Sequence, residues 1–130
     1  MSIPVEIERL REQIERFGPS PYVLTVSSEA RPHAVSINVL WDGDVLVASV
    51  GKKTVVNAAE HEAISLLWPP VENGGYSLIV DGVASVVRSD DGGTMRFEPT
   101  KGVLHRNAVA PSDATSGCGN DCVPIFAQAK

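Results

Sequence analysis

The stretch Arg31–Val50, RPHAVSINVLWDGDVLVASV, decides the fold. From Pro32 to Trp41 the side chains alternate. His33, Val35, Ile37, Val39 and Trp41 face one way, and Ala34, Ser36, Asn38 and Leu40 face the other. That period of two is the mark of a half-buried strand. Asp42-Gly43 is a tight-hairpin signal, and Val45–Val50 follows as the antiparallel partner. This third strand is apolar on both faces, Val45 and Val47 against Leu46, Ala48 and Val50, which predicts an interior place in a sheet.

Working outward from there, Tyr22–Ser27 reads as the preceding strand and Ser28–Arg31 as the turn between. The first seventeen residues read as a helix. Ile3, Ile7, Leu10, Ile14 and Phe17 recur at steps of four and three, Pro4 suits a first turn, and Gly18-Pro19 stops it. Downstream, Gly51-Lys52-Lys53 is a basic loop, and Thr54 is placed to N-cap a short helix through His61. Ala63–Trp68 is a strand closed by Pro69-Pro70. Tyr76–Arg88 is a long strand with a bulge or bend expected at Asp81-Gly82. After the Asp90–Gly93 turn, Thr94–Arg106 is a sixth strand, with Pro99 forcing an edge or a break. Residues 107–130 carry no period and read as an irregular tail, leaving one domain over 1–106 with its leading helix at 1–17. The expectation is a mainly β protein: six antiparallel strands in a closed or partly closed barrel, a helix in front and a short helix after strand three. An α/β sheet needs a helix between most strands, and only one such crossover is present.

Composition narrows the class. The chain has 130 residues, 43% apolar and 21% charged, which is ordinary for one globular domain. Eighteen valines against two methionines and two tryptophans lean it toward strands. A net charge of −5 argues against non-specific nucleic-acid binding, which runs on a basic surplus. No apolar run approaches the roughly 20 residues of a membrane helix. Met1–Glu6 has neither the basic nor the apolar region of a signal peptide, so a soluble, cytoplasmic protein is expected.

The chemistry concentrates in Ser49-Val50-Gly51-Lys52-Lys53-Thr54. A strand end supplies a hydroxyl, a glycine loop supplies two ammonium groups, and a helix N-terminus follows, an arrangement suited to a phosphate. It is not a P-loop, because the glycine five residues before a Gly-Lys-Thr is absent. From local sequence alone the solvated basic turn capping a helix is the first reading and the phosphate site the second. His33, His61 and His105 are scattered and fit no hydrolase or zincin pattern. His33 reads as a turn or edge residue and His61 as a helix-end residue. Trp41, Trp68 and Tyr76 either pack the core or wall a pocket for a cofactor or substrate ring. Cys118 and Cys122 stand four apart, a spacing open to a small disulfide loop, a redox pair, half a metal site or a free tail. A closed zinc site needs four ligands and only His105 and Asp121 are at hand to complete one, so no metal is expected.

Five segments in this order and spacing carry a resemblance: Tyr22–Val26, Arg31–Val35, Trp41–Asp44, Lys53–Asn57 and Val80–Ala84. Together they resemble the pyridoxamine 5′-phosphate oxidase-like, FMN-binding split-barrel family across residues 20–88. The resemblance implies a homodimer with cofactor sites at the subunit interface. It places Lys52, Lys53 and Thr54 on the cofactor phosphate with Ser49 close by, and Val35, Ser36, Ile37 and Asn38 along the ring or ribityl chain. FMN is the expected cofactor; members also bind FAD or a deazaflavin, and some bind haem or none. The family's usual Ser-Arg-Lys is Gly51-Lys52-Lys53 here, which weakens or displaces one phosphate contact. The C-terminal arginine segment that grips substrate in true pyridoxamine phosphate oxidases has no counterpart, so that activity is not expected.

The leading expectation is therefore a flavin- or deazaflavin-binding oxidoreductase of reductase type, acting on a small molecule. A non-catalytic ligand-binding barrel and a cofactor-free dimeric interaction module are the alternatives.

Overall fold

The computed structural model describes residues 1–107. Its elements run β1 (Ser2–Val5), α1 (Ile7–Phe17), β2 (Tyr22–Val26), β3 (Pro32–Ser36), β4 (Leu40–Asp42), β5 (Val45–Val50), α2 (Lys52–Glu60), β6 (Ala63–Trp68), β7 (Ser77–Ser89) and β8 (Gly92–His105). The strands form one antiparallel sheet in the order β3-β2-β6-β7-β8-β5-β4, with β1 added to β8. The two end strands, β3 and β4, are separated by only residues 37–39. So short a link brings the ends of the sheet together, yet no ladder joins them. The result is a split barrel, open along one seam.

Eight strands stand where six were expected, for two reasons. Ser2–Val5 is not a helical turn but a strand, paired from Ser2↔His105 to Val5↔Gly102. β8 runs past the last β5 pair, Leu46↔Phe97, and β1 takes over the vacant edge. Pro4 is tolerated there because an edge strand can do without one N–H. The helix accordingly begins at Ile7; Leu10 and Ile14 are buried, whereas Ile3 and Ile7 are exposed. The second correction is the break of Pro32–Trp41 into β3 and β4. Ile37 N–H donates to Pro21 O at 2.9 Å and Val39 N–H to Pro19 O at 2.8 Å. Both prolines lack an N–H to return, so no ladder forms. The alternation survives the break: Ala34, Ser36, Asn38 and Leu40 remain exposed, with the other set turned inward.

Pro99 marks a break, as expected, and Thr54 differs from expectation. The last strand starts at Gly92, and its register against β7 shifts beside Pro99. Pro99 falls in the gap where the neighbour of β8 changes from β5 to β1. Thr54 does not cap α2; the N-cap is Gly51, and Thr54 is buried inside the first turn. The expected irregularity at Asp81-Gly82 is present. Asp81 faces Lys101 and Gly82 faces Pro99, leaving Thr100 as the extra residue, its hydroxyl donating to Asp81 O at 3.2 Å. The tail reading from residue 108 onward, with Cys118 and Cys122, lies outside the described residues.

The core joins Leu10 and Ile14 of α1, Val55 and Ala58 of α2, and the inward faces of the strands, Trp68 and Phe97 being its largest members. α2 is held by a buried hydrogen bond, Asn57 Nδ2 to Thr25 Oγ1 at 3.1 Å. It also packs where β8 has no side chain: a Cβ on Gly93 would stand 2.9 Å from Val55 Cγ2 and would collide with Val87 O.

Gly93→Ala is therefore expected to destabilise the fold by about 1–3 kcal/mol through overpacking. Thr25→Val, which strands the buried Asn57 amide, is expected to cost a similar amount, about 1–3 kcal/mol. Urea unfolding measures both, and a midpoint unchanged from wild type in either variant contradicts the packing described.

Candidate functional site

Two cavities lie where β3 and the β5–α2 segment face each other. One, of about 660 Å³, lies between the β2–β3 turn and the start of α2. Lys52, Lys53, Val56 and Asn57 line it from α2, and Ser27, Arg31 and His33 from the other side. The second, of about 620 Å³, lies at the other end of β3. Ser36, Ile37 and Asn38 line it from the end of β3, and Val47, Ala48 and Ser49 from β5, with Thr94 of β8 beside them.

The first cavity is built for an anion. Val55 N–H makes the first bond of α2, to Gly51 O at 3.0 Å, so the N–H groups before it have no helical acceptor. Gly51 has no side chain to cap them, and the first turn holds no acidic residue. Lys52 and Lys53 are exposed and take part in no ion pair among the described residues. Arg31 adds a third cation against the single carboxylate of Glu29. Arg31 is held by its own turn: its N–H donates to Ser27 Oγ at 3.1 Å, and Ser27 N–H donates to Arg31 O at 3.0 Å. In a chain of net charge −5, this is a local concentration of positive charge at a helix N-terminus. The second cavity mixes hydroxyl, amide and aliphatic groups, a lining suited to a flat ring with polar edges. There Asn38 Oδ1 accepts from Ser20 Oγ at 2.7 Å, which fixes the amide's orientation.

The structure brings together most of the expected cofactor residues, though not all. Ser36, Ile37, Asn38 and Ser49 share one cavity, and Lys52 and Lys53 share the other. Val35 packs against the core from β3, one residue before the cavity wall. Thr54 is 1% exposed, so its hydroxyl is turned away from both cavities and only its backbone faces the helix start. The three aromatic candidates do not meet. Trp68 is 1% exposed and its Nε1–H donates to Gly18 O at 2.7 Å, which makes it a core residue and not a pocket wall. Tyr76 lies in a cavity beside α1, with the Arg106 guanidinium 4.5 Å from its ring centre. Trp41, with Arg11 stacked at 4.5 Å, walls a small apolar cavity of about 240 Å³. That cavity shares Pro19, Val39 and Leu40 with the ring-sized cavity, so Trp41 alone of the three adjoins it.

Sequence reasoning missed Arg31, His33, Asn57 and Thr94 as lining residues. The signal for the first two was the pair of basic side chains flanking Pro32 at the mouth of β3. Thr94 is found only through its pairing with Ser49. Among the described residues no group of three His, Cys, Asp or Glu is placed to hold a metal ion.

Comparison with known proteins follows the same lines. No protein-family model matches the chain. Two mycobacterial proteins named as uncharacterized, Mb0449c of Mycobacterium bovis and MT0457 of Mycobacterium tuberculosis, are each 35% identical over 133 residues, covering 92% of this chain and 93% of their own. Among solved structures, a candidate pyridoxamine 5′-phosphate oxidase from Listeria innocua superposes with a TM-score of 0.61 at 17% identity, over 76% of this chain and 98% of its own. An FAD binding protein from Mycobacterium smegmatis gives a TM-score of 0.61 at 19% identity, over 82% of this chain and all (100%) of its own. An F420 reductase gives 0.54 at 15% identity, over 65% of this chain and 88% of its own. The chain belongs to one family with the two mycobacterial proteins, and its fold is the split barrel of the pyridoxamine 5′-phosphate oxidase-like proteins.

Proposed function

We propose that this chain binds a phosphorylated flavin-type cofactor along the barrel seam and works as an oxidoreductase of reductase type on a small molecule. The observation that carries the reading is the pair of cavities at the two ends of β3, His33 lining one and Ser36 the other. An uncapped helix start with Lys52 and Lys53 sits at one end, and a ring-sized cavity with Ser36, Asn38 and Ser49 sits at the other. FMN is the simplest ligand of that shape. The FAD and F420 named for two structural neighbours share its phosphate and its tricyclic ring, and they mark the alternatives.

Lys52 and Lys53 neutralise the phosphate, and the free N–H groups of the α2 first turn donate to its oxygens. Ser36, Asn38 and Ser49 orient the polar edge of the ring, and Ile37, Val47 and Leu40 give it apolar walls. When bound, the cofactor supplies the hydride chemistry, and the protein supplies position and exclusion of water. The apolar cavity beside Trp41 adjoins the ring end and suits a small apolar or aromatic partner in that transfer.

The homodimer belongs to the same proposal. On the outer face of the sheet, Leu40 is 72% exposed and Tyr22 and Val83 stay open to solvent. A second copy laid on that face covers them and roofs the seam. Light scattering is expected to give about twice 13.8 kDa, and a stable monomer at micromolar concentration counts against an interface site.

Replacing Lys53 by Ala removes a charge-assisted contact worth roughly 1.5–3 kcal/mol. The FMN dissociation constant is therefore expected to rise about ten- to hundredfold, with riboflavin, which has no phosphate, nearly indifferent. Equal losses for both ligands, or none for FMN, overturn the phosphate assignment. The absorption spectrum of freshly purified protein, followed by bleaching with a nicotinamide donor and turnover with an acceptor, separates a reductase from a binding protein.

A further inference from the structure

His33 stands in the wall of the anion cavity, on the side of the seam opposite Lys52 and Lys53. It lies on β3, paired with Thr25 of β2, and its side chain is turned inward and partly buried. Nδ1 is sealed from solvent and has no hydrogen-bond partner. A neutral imidazole carries one N–H and one bare nitrogen. A proton on Nδ1 here would be a buried N–H without an acceptor, which folded proteins avoid more strictly than a bare acceptor. The neutral ring therefore keeps its proton on Nε2. That nitrogen is not among the buried unpartnered atoms and bonds to no described residue, so its N–H is free to donate into the cavity.

The charged and unpaired groups lining the cavity are mostly donors: two ammonium groups, the Arg31 guanidinium and the free N–H groups of α2, the Asn57 Nδ2 being already given to Thr25. An acceptor with several oxygens is the group that answers such a set, and Glu29 is the one carboxylate facing it. We propose that His33 is a ligand of the anion, donating from Nε2 to a phosphate oxygen on the face opposite Lys52 and Lys53. The inference rests on the reading that this cavity holds the cofactor phosphate, and it adds that the phosphate is gripped from both sides. β3 and the β5–α2 segment share no ladder, so a phosphate held by His33 and the lysines ties the two edges of the split together. Cofactor binding then closes the seam of the barrel as well as filling it.

The test titrates FMN and riboflavin into wild type, His33→Phe, His33→Gln and Lys53→Ala, with thermal melts of each protein with and without FMN. Phe keeps the ring's bulk and removes the donor; Gln restores a donor at similar reach. His33→Phe is expected to weaken FMN about tenfold or more, to leave riboflavin unchanged and to shrink the FMN-induced rise in melting temperature. His33→Gln is expected to recover most of that loss. If His33→Phe does not melt cooperatively, His33→Ala replaces it in the same titration. Unchanged FMN affinity on loss of the imidazole, while Lys53→Ala still binds FMN weakly, overturns the role of His33 and leaves the cofactor reading standing. So do equal losses for FMN and riboflavin, or a Gln variant no better than Phe. A wild type that binds none of FMN, FAD and F420, or one whose FMN affinity ignores both His33 and Lys53, overturns both.

Discussion

Both helices rest on β8 where that strand carries no side chain. A Cβ at Gly93 would run into Val55 of α2, and one at Gly102 would run into Leu10 of α1. Close-packed interiors have no spare volume to absorb such atoms. β8 therefore sets the height of both helices above the sheet. It is also the strand to which β7, β5 and β1 are all paired, so the same backbone organises the strands and the layer above them.

The position of α2 matters most for the seam. Its N-terminus has to meet the mouth of β3, although the two are not joined by any ladder. Val55 against Gly93 holds one side of the helix, and the buried Asn57–Thr25 bond holds the other. Thr25 is the residue opposite His33 on β2–β3, so one hydrogen bond fixes the helix start relative to the strand across the cavity. Lys52 and Lys53 need no specific contacts of their own. Their place is given by the first turn they belong to, and their charge remains available.

The seam is open on the side of β3 away from β2, where no ladder joins it to β4 or β5, and proline interrupts the side toward β2. Pro19 and Pro21 accept from Val39 and Ile37 but cannot donate back, so the chain between β3 and β4 is held without becoming a ladder. A closed sheet would leave no backbone-lined cleft there. The break keeps Ser36, Ile37 and Asn38 in a wall that faces Ser49 across a cavity.

Local sequence was enough for the strands that alternate and for the turns that punctuate them. The in-out alternation from His33 to Trp41, the Asp42-Gly43 turn and the Val45–Val50 strand were legible because each is set residue by residue, whereas the break of the first into β3 and β4 was not. The irregularity at Asp81-Gly82 was legible for the same reason, since glycine acts on its own stretch of backbone; the lysines expected in a loop instead open α2, whose N-cap is Gly51. Tertiary structure alone decided the rest. Ser2–Val5 is a strand because β8 has a vacant edge, which nothing within four residues encodes. Trp68 belongs to the core and Trp41 to a cavity wall, although both end strands in similar company. His33 meets Lys52 and Lys53 only when the sheet curls its two ends together. Such contacts depend on which distant backbone lies alongside, and sequence periodicity records burial but not the identity of the neighbour.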